Sequence, residues 1–159
     1  MKRLQLKKGQ IIQYKGDLNS KVYQVKSGLL RSYSIDEKGK EHIFMFASEG
    51  WIIADNSAPE DPCDLFIDVL EDALVVSREK IIDSGHEIPK LLKRIGVLQK
   101  RVIMLMSSSA IERYEHFLET YPDIVQRVPQ RMIASYLGIT PEALSTVKRS
   151  RHSKKGRTS

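Results

Sequence analysis

An α+β chain, β first and helical after, is the fold class this sequence predicts, and three observations carry it. Glycines at 16, 28, 39 and 50 fall at nearly even intervals between short apolar or β-branched runs. After Arg78 the apolar spacing changes to steps of four and three. Toward the C-terminus Gly138 separates two short amphipathic patterns. The 159 residues suffice for one sizeable core with a smaller appended unit.

The runs at 21–25, 29–35 and 43–47 read as strands, and their even spacing predicts an antiparallel sandwich or barrel. Asp36-Glu37-Lys38-Gly39 has the composition of a hairpin turn, with glycine suited to the left-handed position. Runs 66–70 and 73–77, separated by Glu71-Asp72, predict a last pair of strands. Asn56 to Cys63, with two prolines, predicts a solvated acidic loop.

Leu91, Ile95, Leu98, Val102 and Leu105 then lie on one stripe of a helix, widened by Leu92 and Met106. Such a stripe serves either a helix laid on the sheet or a dimer seam. Lys93, Arg94, Lys100 and Arg101 flank it as solvated seam-edge residues would, which favours the seam. Ser109 and Glu112 have capping-box spacing and restart a helix, and Tyr121-Pro122-Asp123 ends it.

The last unit opens at Val128-Pro129. A helix-turn-helix needs apolar residues on the inner face of both helices, a small residue where they touch and a glycine to turn. Ile133, Ala134, Leu137, Gly138, Ile139, Leu144 and Val147 fill those places. Thr140 is a cap for the second helix, Pro141 suits its first turn, and Glu142 complements its N-terminal dipole. Pro141, Glu142, Ser145, Thr146 and Arg149 are left on the outer face to read bases. Arg131, Thr140, Lys148 and Arg151 are placed to contact phosphates. The alternative is a plain helix pair in which Glu142 only complements the dipole.

Charge favours DNA. The net charge is +6, and from residue 126 to 159 there are eight Lys or Arg against Glu142 alone, whereas residues 41–77 hold nine carboxylates and no Lys or Arg. Cys63 is the only cysteine, so a disulfide within the chain, a four-cysteine cluster and a cysteine zinc site are excluded. A reducing cytoplasm fits, no membrane segment is expected, and no cofactor is read. A metal-dependent jelly-roll enzyme would need converging imidazoles, and among the strand stretches only His42 is available, so catalysis is not expected. Haem is not excluded, since His42, His86, His116 and His152 exist, though each reads first as an ordinary histidine.

The block 133–145, Ile-Ala-Ser-Tyr-Leu-Gly-Ile-Thr-Pro-Glu-Ala-Leu-Ser, closely resembles the helix-turn-helix of Crp/Fnr-type bacterial transcription regulators. Upstream, Gly28-Leu29-Leu30-Arg31-Ser32-Tyr33, Gly39-Lys40-Glu41, Gly50 and Glu112-Arg113-Tyr114 follow in that family's order. The resemblance implies an N-terminal β-roll (a jelly-roll like cyclic-nucleotide-binding domains) over 1–86, a long dimerisation helix over 87–108, and a winged-helix-like helix-turn-helix over 109–151. Residues 152–159 are expected to form a disordered basic tail. It further implies a homodimer acting on roughly palindromic double-stranded DNA, with RNA polymerase as a partner.

Three departures from the family qualify this. The cyclic-nucleotide binders carry a Gly-Glu pair and then an arginine for the phosphate; here the stretch from Trp51 to Phe66 has no basic residue, and Asp55, Glu60, Asp61, Asp64 and Asp68 would face the ligand. Cyclic AMP and cyclic GMP are therefore expected not to bind. Thr146 stands where relatives commonly place a groove-reading arginine, so the operator should differ at that base pair; the alternative is a weakened helix-turn-helix serving a sensor or protein-binding module. The stretches 121–128 and beyond Arg151 are short for the family's hairpin wing, which is expected to be reduced or absent, and the N-terminal helix reads as absent or trimmed.

Overall fold

The computed structural model describes residues 1–80 and 88–155, the side chains of 88–94 and 152–155 excepted. The chain divides into two compact units, Met1–Ile81 and Ile82–Ser159. That division places the long helix with the helix-turn-helix.

The first unit is an antiparallel sheet of six strands: β1 (Lys2–Leu6), β2 (Ile11–Gln13), β3 (Lys21–Ile35), β4 (Glu41–Ala47), β5 (Ile52–Ile53) and β6 (Phe66–Glu79). The order is β1-β6-β3-β4, with β2 on β6 and β5 on β3. Two expectations need correcting. The runs 21–25 and 29–35 are one strand, and 66–70 and 73–77 are another, with Glu71-Asp72 inside β6 rather than in a turn. The reason is a bulged crossing of the two long strands. Their register slips between Val25 and Leu30, and Gly28, at φ +89°, brings its backbone so close to β6 that a Cβ would lie 2.4 Å from the Asp72 carbonyl oxygen. A sequence cue for a break between strands, a glycine or a polar pair, is thus also the cue for a bend within one.

The bend lets side chains of β3, β4 and β6 meet across a common interior. Val25, Leu30, Ala47, Ile53, Ile67 and Val75 are wholly buried there, with Leu4, Leu6, Ile12 and Phe44 packed against them. The β3–β4 hairpin forms as expected. Gly39 takes φ +77°, its N–H donates to the Asp36 carbonyl at 2.9 Å, and the Asp36 carboxylate accepts from the N–H groups of Lys38 and Lys40.

In the second unit α1 spans Ile88–Ser107 and α2 spans Ala110–Thr120. Between them Ser109 and Glu112 form the full reciprocal capping box. A single 3-10 turn, Ile124–Gln126, leads to α3 (Gln130–Leu137) and α4 (Pro141–Lys155). Pro129 stands at the N-cap position of α3, just before its first turn. Helix α4 continues to Lys155, so residues 152–155 of the expected disordered tail are helical; residues 156–159 lie outside the described part. Phe117, Tyr121 and Tyr136 pack ring to ring at centroid distances of 5.3 to 5.5 Å, beside buried Ile124, Ile133, Leu137 and Leu144.

Candidate nucleic-acid interface

Helices α3 and α4 meet through the predicted glycine. Gly138 adopts φ 66°, ψ 31°, and the N–H of Ile139 returns to the Ala134 carbonyl at 3.0 Å, closing a Schellman-type end on α3. Thr140 then caps α4, its Oγ1 accepting from the Ala143 N–H at 3.2 Å. On the inner face Ile133, Ala134, Leu137, Leu144 and Val147 are buried as the spacing predicts, while Ile139, in the turn, is only half-buried.

The outer face of α4 presents Pro141, Glu142, Ser145, Thr146 and Arg149, all exposed. Arg131 and Thr140 are exposed nearby, while Lys148 and Arg151 are half-buried. Arg151 comes near enough to Tyr114 to oppose the rise that burial causes in that phenol's pKa. The polar groups of this face are partly engaged at home. The Glu142 carboxyl is held below its ordinary value by its own backbone N–H and by the Thr140 hydroxyl. The Ser145 hydroxyl donates to the Pro141 carbonyl at 3.0 Å, and that of Thr146 to the Glu142 carbonyl at 3.1 Å. Both hydroxyl protons point inward along the helix, which leaves lone pairs as acceptors.

Along α1, Ile95, Val102 and Met106 form an exposed apolar stripe, Met106 at 81% exposure, with Val97 and Ile103 also exposed. Leu98 and Leu105, expected on the seam, are half-buried at its flank; the Leu91 side chain is outside the described residues. Leu105 turns partly toward its own unit, with Cδ2 4.0 Å from where a Cβ on Gly138 would stand. The exposed stripe is thus rotated toward Met106 relative to the one read from spacing.

In the β unit the stretch from Trp51 to Phe66 is organised by one carboxylate. Asp55 is buried, and its oxygens accept from the backbone N–H groups of Ser57 at 2.8 Å, Leu65 at 2.9 Å and Asp64 at 3.1 Å. Burial raises its pKa, but the Ser57 and Leu65 hydrogen bonds and the charge of Lys80 outweigh that, so the net shift is downward. The loop that reads as merely solvated is therefore pinned from within, and its far end is pinned too, by the Cys63 N–H on the Asp17 carbonyl.

Asp68, expected to face a ligand, is instead fork-paired with buried Arg31, Nε to Oδ1 and Nη2 to Oδ2 both at 2.9 Å. Arg31 also donates to Glu41 and lies 4.2 Å over the Tyr33 ring. Burial opposes its charge, and the two carboxylates overcome this to hold its pKa above the ordinary value. Sequence reasoning missed this cluster. The available signal was a lone arginine inside an apolar strand, which must find a carboxylate somewhere in the fold.

Among the described residues there is no cluster of His, Cys, Asp or Glu able to hold a metal ion, and no helix is long and apolar enough to cross a membrane.

Comparisons with known proteins bear on both units. Residues 3–80 match the model of the cyclic nucleotide-binding domain family. The chain is 28% identical to the fumarate and nitrate reduction regulatory protein of Vibrio cholerae over 88% of its own length and 64% of that protein's, so it spans about 64% of such a relative. Among solved structures it is similar to FixK2 from Bradyrhizobium japonicum, with a TM-score of 0.78 at 22% identity over 97% of this chain and 85% of that one. It is also similar to a CRP/FNR-family transcriptional regulator from Thermus thermophilus, with a TM-score of 0.69 at 16% identity over 95% and 87%.

Proposed function

We propose that the chain is a regulator of the Crp/Fnr type, acting on transcription in the cytoplasm as a homodimer that reads a roughly palindromic operator in duplex DNA. The observation that carries the reading is the outer face of α4. Its five predicted base-reading side chains are exposed together while Leu144 and Val147 anchor the opposite face. Eight basic residues between 126 and 159 supply the field that draws a polyanion.

The geometry sharpens what those side chains would read. Ser145 and Thr146 keep their protons on backbone carbonyls, so they offer acceptors, suited to the amino groups of adenine or cytosine. Glu142 has spare lone pairs beyond those that cap the helix and fits a cytosine amino group. Thr146 cannot make the bidentate guanine contact of an arginine. The exposed stripe Ile95, Val102 and Met106, with Leu98 and Leu105 at its edge and Leu91 continuing its spacing, supports pairing with a second copy. In the β unit, three backbone donors that an anion could use, the N–H groups of Ser57, Asp64 and Leu65, are occupied by Asp55, which supports a regulator that does not answer to cyclic AMP.

A protein-binding module is the second reading, favoured by the self-satisfied hydroxyls of α4. Selection of bound sequences from random duplex DNA separates the two. A two-fold consensus with half-sites about one helical turn apart is expected. Recovery of no consensus, together with flat salt dependence on random DNA, overturns DNA reading in favour of the module.

A further inference from the structure

The last four carbonyls of an α-helix have no partner inside it, so their partners show what holds the helix end. On α3 those carbonyls belong to Ala134, Ser135, Tyr136 and Leu137. The first two accept from the N–H groups of Gly138 and Ile139, within the turn itself. The last two accept from arginines on other helices. Arg101 of α1 reaches the Tyr136 carbonyl through Nη2 at 3.4 Å, and Arg113 of α2 reaches the Leu137 carbonyl through Nη1 at 3.3 Å.

Each arginine has a second hold. The guanidinium of Arg101 lies 4.1 Å over the ring of Tyr136, itself buried against Phe117 and Tyr121. Arg113 also donates to the end of α1, from Nη2 to the Leu105 carbonyl at 2.6 Å and from Nε to the Ser108 carbonyl at 3.0 Å. One planar fork thus joins the C-termini of α1 and α3. Both ends carry the negative pole of a helix, so the cation is stabilised by each. The turn lies directly against this junction, since a Cβ on Gly138 would stand 3.9 Å from Arg113 Nη1.

We propose that Arg101 and Arg113 are positioning residues that clasp the turn of the helix-turn-helix to the end of α1, so that the placement of α4 follows α1. The proposal rests on the DNA-reading function above, in which α1 is the seam between copies. With the clasp closed, rotation of α1 moves the carbonyl end of α3, and through Gly138 and Thr140 it moves the start of α4. The two recognition helices of a dimer then keep a fixed separation, and half-site spacing is set by α1 rather than by contacts to bases.

The test uses the full chain with Arg101→Lys and Arg113→Lys, which keep the charge but lose the fork. Affinity for random duplex DNA and its salt slope should match the parent, because no cation is removed. Affinity for the selected operator should fall about tenfold for Arg101→Lys, the worth of one charged hydrogen bond, and further for Arg113→Lys, whose fork serves three carbonyls. Preference for the parental half-site spacing over spacings changed by one base pair should weaken, a readout that a merely structural role would not move. Amide exchange at Gly138 and Ile139 should quicken. Unchanged spacing preference and unchanged exchange in both variants overturn the clasp. If Arg113→Lys does not fold, Arg101→Lys carries the same readouts. Should the parent bind no duplex DNA at all, the DNA reading fails, while the exchange measurement still decides the clasp.

Discussion

Replacing Asp55 by asparagine isolates the carboxylate that pins the 55–65 loop. The parent uses both oxygens, Oδ1 for the Ser57 N–H and Oδ2 for those of Asp64 and Leu65. An amide has one oxygen, so it keeps two of the three contacts at best and turns an NH2 group onto an N–H donor. The loss is one buried donor left unsatisfied, about 1–3 kcal/mol, plus the weakening of two charge-assisted bonds to neutral ones, about 1 kcal/mol in all. A destabilisation of about 2–4 kcal/mol follows, a large part of the stability of a small domain. The assay is urea unfolding followed by Trp51 fluorescence, because Trp51 is the only tryptophan and stands in the β unit beside β5. The midpoint should fall with the slope unchanged. The pH dependence supplies a second check. The folded carboxyl lies below its ordinary 3.8, so its contribution is fully present above that value and is lost as pH falls through the folded value. The gap between parent and variant should be constant near neutrality and narrow only below about pH 4. A variant that unfolds at the parental midpoint refutes the role given to Asp55.

Four further outcomes follow from the same geometry. Arg31→Met leaves Asp68 buried without its guanidinium and should cost about 3–5 kcal/mol, most of it regained in Arg31→Met with Asp68→Leu, as thermal unfolding of single and double variants will show. Gly138→Ala meets only ordinary contacts but a left-handed backbone, so calorimetry should find a loss of about 1–2 kcal/mol and no more. Thr146→Arg should tighten or redirect the selected consensus at one base pair, toward guanine, and an unchanged consensus counts against the docking assumed for α4. Titration calorimetry with cyclic AMP or cyclic GMP should give no sub-millimolar dissociation constant, and such a constant would show that the loop around Asp55 opens for a phosphate.

What was legible in the sequence was local. The Gly39 hairpin, the capping box of Ser109 and Glu112, and the turn at Gly138 depend on residues at most a few positions apart, and each forms where spacing puts it. What was illegible depended on distant pairs. Arg31 and Asp68 are 37 positions apart, and nothing near either names the other. Glu71-Asp72 looks like a turn because polar pairs usually are one, and only Gly28 on the facing strand makes it the inside of a bend. The exposed stripe on α1 was found, but its centre was not. Half-burial of Leu105 is decided by Arg113 and Gly138, which the period of α1 does not contain.

The crossing at Gly28 has a consequence for how the β unit tolerates change. Its curvature is set where two backbones touch with no side chain between them. The apolar residues that fill the interior can therefore be exchanged for others of similar volume while the outline is kept. One methyl group at position 28 would push the long strands apart at this crossing. The shape of this half is written in a missing atom, and drift elsewhere leaves it legible.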